Sequence, residues 1–486
     1  MNAVSGRLGD GRSFVWRIFL VGLALRLIPV LLAYNLSIGL DDMFQYDMLA
    51  RSLAAGAGFR WYAQNDLSLI EQYVHLDLSN VDYDPRGVLT TFRAPLYPAF
   101  LAGIYLLFGA GVHRFFAARL AQAFLGALLP VLTYLVARRW FPEDERAARL
   151  SAGVIAFYPM LLLYPLALAT ENLFFVLVLA GLLVLLVAVE RPTPGGFAAA
   201  GVLFGLAALT RSIILLAVGM AAVWLWFSLR RRRETVILCL ALGATITPWV
   251  VRNSLLSGRL TGIETSLGYN LYLGYHPQSD GTFAYGPSLD LLSILDDSTR
   301  DQVGTQRAVA FVRQDPLRVP EYTLYRLGYF FGLESRAMIY FYSNDLLGYV
   351  STPALLAAAF VLLIPFVAVS VSAALGLVIA PSGPASRVIV LLALGYLLPN
   401  ILILAEDRFH LVLVPLLAIL AARVWARGFP ALRAAWAASA RGRLILLTSG
   451  VMIALLFLNW GLGLYRDSGK IALLLGPNGN QTYFAY

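Results

Sequence analysis

The chain has 486 residues, of which 59% are hydrophobic and 13% are charged, and its formal net charge is +9. Soluble domains carry about 25% charged residues, so this composition excludes an ordinary water-exposed surface. The arginines lie in short clusters between apolar runs rather than on one basic face, which argues against a nucleic-acid partner. We therefore expect an integral membrane protein.

Apolar runs of about 17 to 25 residues recur along the chain, and each can cross roughly 30 Å of hydrocarbon as a helix. Arginine clusters mark the cytoplasmic side of these runs. They are Arg7, Arg12 and Arg17, residues 138–149, residues 230–233 and residues 423–443. The pattern predicts an all-α polytopic membrane protein of about 11 transmembrane helices with a cytoplasmic N-terminus. The predicted spans are 15–36, 115–137, 149–167, 173–189, 196–210, 212–229, 235–251, 351–379, 386–404, 410–425 and 444–465.

The remaining segments predict two long loops on the outer side. The loop 37–114 contains the short apolar run Pro95–Gly109, which we expect to lie at the membrane interface because a crossing there would reverse the charge rule. The loop 252–350 contains an amphipathic stretch from Asp301 to Gly328. The chain is thereby divided into a transmembrane module 1–251, the loop 252–350 and a second transmembrane module 351–486.

Acidic residues stand where two predicted elements reach the outer face. Asp41 and Asp42 follow the first span, and one reading makes either of them the cap of an interfacial helix. The other reading makes one carboxylate a general base. Glu171 follows Thr170 between two apolar runs, where it is either in the first turn of a helix capped by Thr170 or a functional charge at membrane depth.

Four arginines lie on the outer side, against the charge rule. Each either reaches the interface or pairs with a nearby acid such as Asp407, or it belongs to a site for an anion, because the guanidinium group binds phosphate with two parallel hydrogen bonds. The four are Arg93, Arg211, Arg252 and Arg408.

Other chemistries lack their motifs. The sequence has no phosphate-binding Walker loop, no HExxH metal motif and no GxSxG nucleophile elbow. The single cysteine, Cys239, lies in an apolar run, and the four histidines are far apart in the sequence. We expect no metal site and no required cofactor, although a divalent metal stays possible.

Six motifs in chain order resemble the GT-C superfamily of membrane glycosyltransferases, and within it the bacterial relatives of protein O-mannosyltransferases and of the lipid A aminoarabinose transferase. They are Asp-Asp-x3-Tyr-Asp-x2-Ala-Arg (41–51), Arg-Ala-Pro-Leu-Tyr-Pro (93–98), Thr-Glu-Asn (170–172), Leu-Thr-Arg (209–211), Thr-Pro-Trp-x2-Arg-Asn (247–253) and Asp-Arg-Phe-His (407–410).

This resemblance implies an outer cavity built on the first extracytoplasmic loop and a polyprenyl- or dolichyl-phosphate sugar donor. It implies that Asp42 is the catalytic aspartate, that Tyr46 is the tyrosine four positions later, that Glu171 is the acid of the second outer loop and that Arg93 holds the carrier phosphate. The remaining expected residues bind the donor phosphate (Arg211, Arg252 and Arg408) or, together with Tyr46, the substrate (Asp41, Tyr97, Asn172 and His410).

The sequence thus predicts a glycosyltransferase of a bacterial inner membrane that transfers one sugar, with inversion, from a polyprenyl-phosphate carrier to an acceptor hydroxyl outside the cytoplasm. The acceptor, whether glycan, lipid or protein, is left open. The oligosaccharyltransferase branch has an appended soluble domain that this sequence does not show, which argues against a protein-sequon acceptor. The alternative is a lipid-linked sugar transporter or flippase, for which paired repeats and broken helices in matching positions are typical.

Overall fold

The computed structural model describes residues 2–39, 41–71, 83–335 and 350–476. The predicted outer loops and the C-terminal module are therefore described in part, and the side chains of residues 2–10, including Arg7, lie outside the description. Helices form nearly all of the regular structure in the described segments. The sheet found there has two short antiparallel strands, β1 (Arg60–Trp61) and β2 (Val88–Leu89).

Eight described helices are long and apolar enough to cross a membrane, which confirms the all-α membrane architecture. Four belong to the first half of the chain and four to the second. Their bounds are Asn2–Leu32, Arg114–Trp140, Glu171–Glu190, Arg232–Ser257, Thr352–Gly376 with a 3-10 turn at Leu377–Ile379, Pro384–Leu402, Val414–Ala438 and Ala440–Arg466.

A bent pair of helices, counted as one span, makes a ninth candidate crossing. Glu145–Phe157 and Pro159–Leu163, the second extended by a 3-10 turn at Tyr164–Leu166, meet at an angle of 53°. The break falls at Tyr158, whose backbone is extended (φ −67°, ψ 115°). The residue before a proline avoids the helical region for steric reasons, so Pro159 explains both the break and its position.

The predicted spans 196–210 and 212–229 form helices of 15 and 14 residues, Pro194–Ala208 and Ile214–Phe227. At 1.5 Å per residue they are roughly 22 Å and 21 Å long, which is less than a full bilayer core. The first packs closely on Arg232–Ser257, because a Cβ added at Gly201 would lie 2.3 Å from the Leu238 carbonyl oxygen. Small residues four apart permit such backbone approach between membrane helices.

The outer segments form short helices. The first segment holds α-helices Asp42–Ala54, Gln64–Ile70 and Leu96–Phe108, and the second holds Leu267–Tyr275, Tyr285–Leu289, Asp297–Gln314 and Arg318–Phe330. The helix Leu96–Phe108 has 13 residues, in agreement with the prediction that Pro95–Gly109 is too short to span, and its interfacial position stays a prediction. The two segments are joined where the carboxylate of Asp297 accepts hydrogen bonds from the Thr90 hydroxyl (2.6 Å) and the Thr91 amide (2.7 Å).

Two predicted boundaries were wrong. The amphipathic stretch from Asp301 to Gly328 consists of two helices, because Pro316 forces Asp315 out of the helical conformation. The predicted span 410–425 begins with a 3-10 helix at Asp407–Val412 and runs as a helix to a break at Gly428, beyond which a second helix reaches Ala438 through arginines assigned to a loop. Alanine and arginine favour helix, and Gly428 absorbs the kink with φ of 70°.

The helix Asp42–Ala54 is anchored by a buried carboxylate. Asp47 is 1% exposed and accepts hydrogen bonds from Arg51 Nε (2.8 Å), Arg114 Nε (2.8 Å) and the Tyr105 hydroxyl (2.9 Å). Its partners come from this helix, from Leu96–Phe108 and from Arg114–Trp140. The carboxylate therefore fixes the orientation of the helix that begins at Asp42.

We expect Asp47→Ala to lower the free energy of unfolding by about 3 kcal/mol, because removing one partner of a buried ion pair leaves the other charges uncompensated. The matched control is Asp84→Ala, which removes a solvent-screened pair with Arg86 and should lower stability much less. The apparent melting temperature of the purified protein in detergent measures both. Equal effects of the two substitutions would contradict the anchoring role.

Candidate active site

The outer end of the first module begins with a capped helix. Asp41 is the N-cap of Asp42–Ala54, and its Oδ1 accepts a hydrogen bond from the Met43 amide at 2.8 Å. Asp42 is the first helical residue, where its negative charge complements the helix dipole. The structure therefore assigns the helix cap to Asp41. The carboxylate of Asp42 contacts other partners.

Two arginines from distant parts of the chain face the Asp42 carboxylate. Arg93 donates a hydrogen bond to its Oδ1, and Nη2 of Arg408 lies 3.7 Å from its Oδ2. Arg93 also donates to Oε1 of Gln45 from Nε (2.9 Å) and from Nη2 (2.7 Å). The Tyr46 ring lies beneath Arg93, 5.4 Å from the guanidinium carbon. Arg93 is thereby held in one orientation by the helix that carries Asp42.

Charge determines the protonation of Asp42. Burial raises the pKa of its carboxyl, but the positive charge of Arg93, followed by that of Arg408, lowers it more, so the pKa lies below its ordinary value. Burial also raises the pKa of the neighbouring Tyr46 to about 12. At neutral pH Asp42 is therefore a carboxylate and Tyr46 a neutral phenol.

A second ion pair lies at the start of the helix Glu171–Glu190. Oε1 of Glu171 accepts from Nη1 of Arg211 at 2.6 Å, and the Glu171 side chain is 6% exposed. Thr170 makes no side-chain cap; its hydroxyl donates to Oε2 of Glu171 (3.1 Å) and accepts from Nη1 of Arg211 (3.2 Å). The capping role considered for Thr170 is therefore not what the structure shows.

The 3-10 helix Asp407–Val412 joins the two ion pairs. Nε of Arg408 donates to Oε2 of Glu406 at 2.7 Å, and the Phe409 ring lies 5.2 Å from the guanidinium carbon of Arg211. The structure thus brings Asp42, Glu171, Arg93, Arg211 and Arg408 together from segments that are more than 360 residues apart at the extremes. We call these five residues, with Glu406, the ion-pair cluster; it holds three arginines and three carboxylates.

Part of the guanidinium surface in the cluster donates no hydrogen bond to the described residues, although Nη2 of Arg408 faces Asp42. Within the described residues, the hydrogen bonds of Arg211 use Nη1, and those of Arg408 use Nε. Arg408 is 28% exposed, Arg211 22% and Asp42 43%, so the cluster is open on one side. An anion entering there would meet donors from both arginines.

Arg252 is placed differently from the prediction. Its Nη1 donates to the Thr90 carbonyl (2.6 Å) and to Oδ1 of Asn253 (3.0 Å), and its guanidinium carbon lies 4.7 Å from the Trp249 ring. These contacts hold the backbone that leads to Arg93. They make Arg252 a support of the site, and its predicted contact with the donor phosphate stays a prediction.

Three predicted substrate residues are committed to the protein interior. The Tyr97 hydroxyl donates to Oε1 of Gln122 at 2.6 Å, and Tyr97 is fully buried. Nδ2 of Asn172 donates to the same oxygen (3.1 Å) and to the Ala167 carbonyl (3.0 Å). His410 is also fully buried, with both ring nitrogens engaged by protein partners. Their contact with substrate stays a prediction, since polar residues that stabilise helix junctions carry the same sequence signal as residues that bind substrate.

One acidic residue near the cluster was missed. Oε1 of Glu264 accepts hydrogen bonds from the Ser212 amide (3.4 Å) and from the Ser212 hydroxyl, and its charge acts on Arg93. Glu264 follows the helix Arg232–Ser257 in an irregular segment, where nothing in the local sequence distinguishes it from a surface acid. Gln45, by contrast, lies inside the Asp-Asp-x3-Tyr-Asp motif and was within reach of sequence reasoning.

The donor set of the cluster does not favour a cation. Among the described residues, no group of three or more histidine, cysteine, aspartate or glutamate side chains is arranged to hold a metal ion. Asp42 and Glu171 instead face guanidinium groups, which already supply positive charge next to each carboxylate. A divalent ion placed beside Asp42 would be repelled by Arg93 and Arg408.

Comparison with solved structures gives similarities of low identity. The Archaeoglobus fulgidus oligosaccharyltransferase AglB, in complex with an inhibitory peptide and a dolichol-phosphate, is 14% identical with a TM-score of 0.47, covering 98% of this chain and 61% of that one. The Archaeoglobus fulgidus oligosaccharyltransferase in complex with Zn and sulfate is 14% identical with a TM-score of 0.45, and the match covers 97% of this chain and 58% of that one. ArnT from Cupriavidus metallidurans, bound to undecaprenyl phosphate, is 16% identical with a TM-score of 0.38, and the match covers 86% of this chain and 79% of that one. The chain spans about three fifths of the length of the oligosaccharyltransferase.

Curated proteins gave no significant match to the chain. Residues 92–251 match the family described as dolichyl-phosphate-mannose-protein mannosyltransferase, and this segment contains Arg93, Glu171 and Arg211 of the cluster. Residues 92–251 of this multi-spanning membrane protein are therefore similar in sequence to the dolichyl-phosphate-mannose-protein mannosyltransferase family, in agreement with the resemblance to GT-C glycosyltransferases.

Proposed function

We propose that the chain transfers one sugar from a polyprenyl-phosphate carrier to an acceptor hydroxyl at the extracytoplasmic face of the membrane. The observation that carries the proposal is the position of Asp42, an ionised carboxylate between Arg93 and Arg408. A base that can take a proton and cations that can stabilise a phosphate thus stand side by side. The matched family is described by a dolichyl-phosphate donor, which supports the carrier class.

The reaction is a single displacement in which atoms and charges balance. The acceptor oxygen forms a bond to the anomeric carbon while its proton passes to Asp42. The bond between the anomeric carbon and the phosphate oxygen breaks, and its electron pair leaves with the carrier phosphate. Attack opposite to the leaving group inverts the anomeric carbon. Oδ2 of Asp42 is the better proton acceptor, because Oδ1 receives the hydrogen bond of Arg93. Nη2 of Arg408 lies 3.7 Å from Oδ2, which is too far for a hydrogen bond that would occupy this oxygen.

The arginines would act on the departing phosphate. Preorganised positive charge stabilises negative charge that develops during reaction, and it costs no reorganisation at that moment. Arg211 and Arg408 have donors left over from their protein contacts, so they are the proposed binders of the phosphate. Arg93, which bonds both Gln45 and Asp42, would contact the phosphate with its remaining nitrogen and orient the base. Glu171 would orient Arg211.

This proposal changes the domain interpretation. Asp42, Arg93, Glu171 and Arg211 belong to the predicted module 1–251, but Arg408 comes from the module 351–486. The proposed site is completed only when the two modules pack together. We propose a location in a bacterial inner membrane with the N-terminus in the cytoplasm, which places the cluster outside.

The decisive experiment combines lipid identification with a transfer assay. Mass spectrometry of lipid that copurifies with the protein would name the carrier and its sugar, and that lipid, added back to protein in liposomes, should be consumed with release of polyprenyl phosphate. Movement of the lipid between leaflets without release of polyprenyl phosphate would contradict transfer and support the flippase alternative. Liposomes with the Asp42→Asn protein provide the control.

We expect transfer to survive removal of divalent metal. The arginines of the cluster supply the charge that a metal would supply in other phosphate-transfer sites, and they disfavour a cation beside Asp42. The assay is repeated after exhaustive treatment with EDTA and again after addition of Mg²⁺, Mn²⁺ or Zn²⁺. Loss of transfer on chelation, with recovery on addition of one ion, would contradict the metal-free reaction.

We expect the transfer rate to be retained at low pH. The pKa of Asp42 is lowered in the folded protein, so the carboxylate that acts as base persists as pH falls and is lost only below the ordinary value of about 4. The profile of kcat/KM between about pH 3.5 and pH 8 should therefore show no acid limb above about pH 4. An acid limb near pH 6 would assign the base to another group.

A further inference from the structure

A buried hydrogen-bond network lies behind the ion-pair cluster. His410 and Glu334 are both fully buried, and Nε2 of His410 lies 3.0 Å from Oε1 of Glu334. The same oxygen accepts a hydrogen bond from the Tyr158 hydroxyl at 2.6 Å. Nδ1 of His410 is 2.6 Å from the carbonyl oxygen of Phe330, and the ring of Phe366 stacks on the imidazole at 4.1 Å. The proposed reaction uses none of these groups directly.

The hydrogen-bond partners show which atoms of the network carry protons. A carbonyl oxygen can only accept, so Nδ1 of His410 carries a proton and donates it to Phe330. One further proton is shared between Nε2 of His410 and Oε1 of Glu334, since two bare acceptors would repel each other in a buried site. The pair is neutral overall in either arrangement of that proton.

The network connects four separate segments. Tyr158 lies at the break of the bent span, Phe330 ends the helix Arg318–Phe330, Glu334 follows that helix, and Phe366 belongs to a transmembrane helix. His410 itself belongs to the 3-10 helix Asp407–Val412. A 3-10 helix of six residues has poor hydrogen-bond geometry, so contacts of its side chains must hold it in place.

Arg408 lies on the same 3-10 helix, two residues before His410, and its neighbour Phe409 supports the guanidinium of Arg211. A change in the orientation of the His410 ring therefore moves both arginines proposed to bind phosphate. Glu334 and His410 are both buried, and breaking their hydrogen bonds would leave polar groups without partners at a high cost in free energy. The 3-10 helix is therefore held in one orientation.

We propose that Glu334 and His410 are positioning residues that hold Arg408 and Phe409 in the geometry required to bind the carrier phosphate. This inference rests on the proposed function. It extends the functional residues to Glu334, which no sequence motif marks, and it gives His410 a role through the arginines in place of the predicted contact with substrate.

The test uses His410→Phe, which keeps an aromatic ring against Phe366 and removes both hydrogen bonds. Undecaprenyl phosphate serves as the probe, and its binding to the purified protein is titrated by native mass spectrometry. We expect affinity to fall about tenfold, the loss that accompanies misalignment of one charge-assisted hydrogen bond. Glu334→Gln should retain near-normal affinity, because its amide nitrogen, in the place of Oε1, can donate one hydrogen to Nε2 of a neutral imidazole and the other to the Tyr158 hydroxyl oxygen.

The control variant is Ser449→Ala, which removes a buried hydrogen bond from the helix Ala440–Arg466 to the Ala374 carbonyl of the helix Thr352–Gly376. It should leave affinity for the probe unchanged while lowering stability modestly. The double variant Arg408→Ala with His410→Phe should bind no more weakly than Arg408→Ala alone, because His410 acts through Arg408. Additive losses would overturn the inference, and so would normal affinity in His410→Phe.

Amide hydrogen exchange separates this inference from the proposed function. In His410→Phe, and not in Ser449→Ala, the peptide covering residues 406–413 should exchange faster in the absence of any ligand. If the wild-type protein does not bind undecaprenyl phosphate, the carrier-phosphate proposal fails, and the inference fails with it as a statement about phosphate. Unchanged exchange in a wild type that binds the probe would overturn the positioning role alone.

Discussion

Replacing Asp42 with asparagine should lower kcat by about 10²- to 10⁴-fold, the contribution that a positioned general base makes to proton transfer. Asparagine has nearly the same shape, and its oxygen can still accept the hydrogen bond of Arg93, so the fold and the helix Asp42–Ala54 should persist. Donor affinity should be equal or higher, because Arg93 and Arg408 lose a competing negative charge. Initial rates with the copurified donor, with donor titration, measure both quantities.

Asp41→Asn is the matched neighbour for this prediction. Asparagine caps helices about as well as aspartate, so the variant should keep the bond to the Met43 amide and the stability of the helix. Retained turnover in Asp41→Asn together with loss in Asp42→Asn would separate the cap from the base. A loss in Asp41→Asn would instead support its predicted contact with substrate. Normal turnover in Asp42→Asn would remove the proposed base.

Replacing Arg93 with alanine should have two separable effects. Donor affinity should fall roughly 10- to 100-fold, the range expected for a lost hydrogen bond from a charged group. The acid limb of kcat/KM should also move to higher pH. Arg93 lowers the pKa of Asp42, while burial raises it, so removal of Arg93 leaves burial to act with less opposition. Donor titration and the pH profile measure the two effects in one preparation.

Two further substitutions sharpen the Arg93 result. Arg93→Lys keeps the positive charge but loses the forked contact to Gln45 and Asp42. Its pH profile should therefore be close to that of the wild type, while its donor affinity should be close to that of Arg93→Ala. Arg86→Ala removes an exposed arginine of the same outer loop, which pairs with Asp84, and should leave both quantities near their wild-type values. Unchanged donor affinity in Arg93→Ala would count against its contact with the phosphate.

The sequence by itself determined that most of this protein lies in a lipid membrane, and it determined the approximate positions of the helices. Apolar runs and arginine clusters are local features, and all eleven predicted spans contain a helix in the structure, although two are only 15 and 14 residues long. Boundaries failed where one residue had more influence than the pattern, as at Pro316 and Gly428. The same local features predicted that Asp42, Glu171 and four arginines lie on the outer side.

Only the tertiary structure decided which of those residues meet. Arg408 reaches Asp42, while Arg252, which has an equally suggestive motif, turns to the Thr90 carbonyl. The sequence around each arginine is compatible with either outcome, because the choice depends on how helices hundreds of residues apart cross and on which carbonyl groups they leave without partners. For the same reason Glu334 became visible only when the fold placed it against His410.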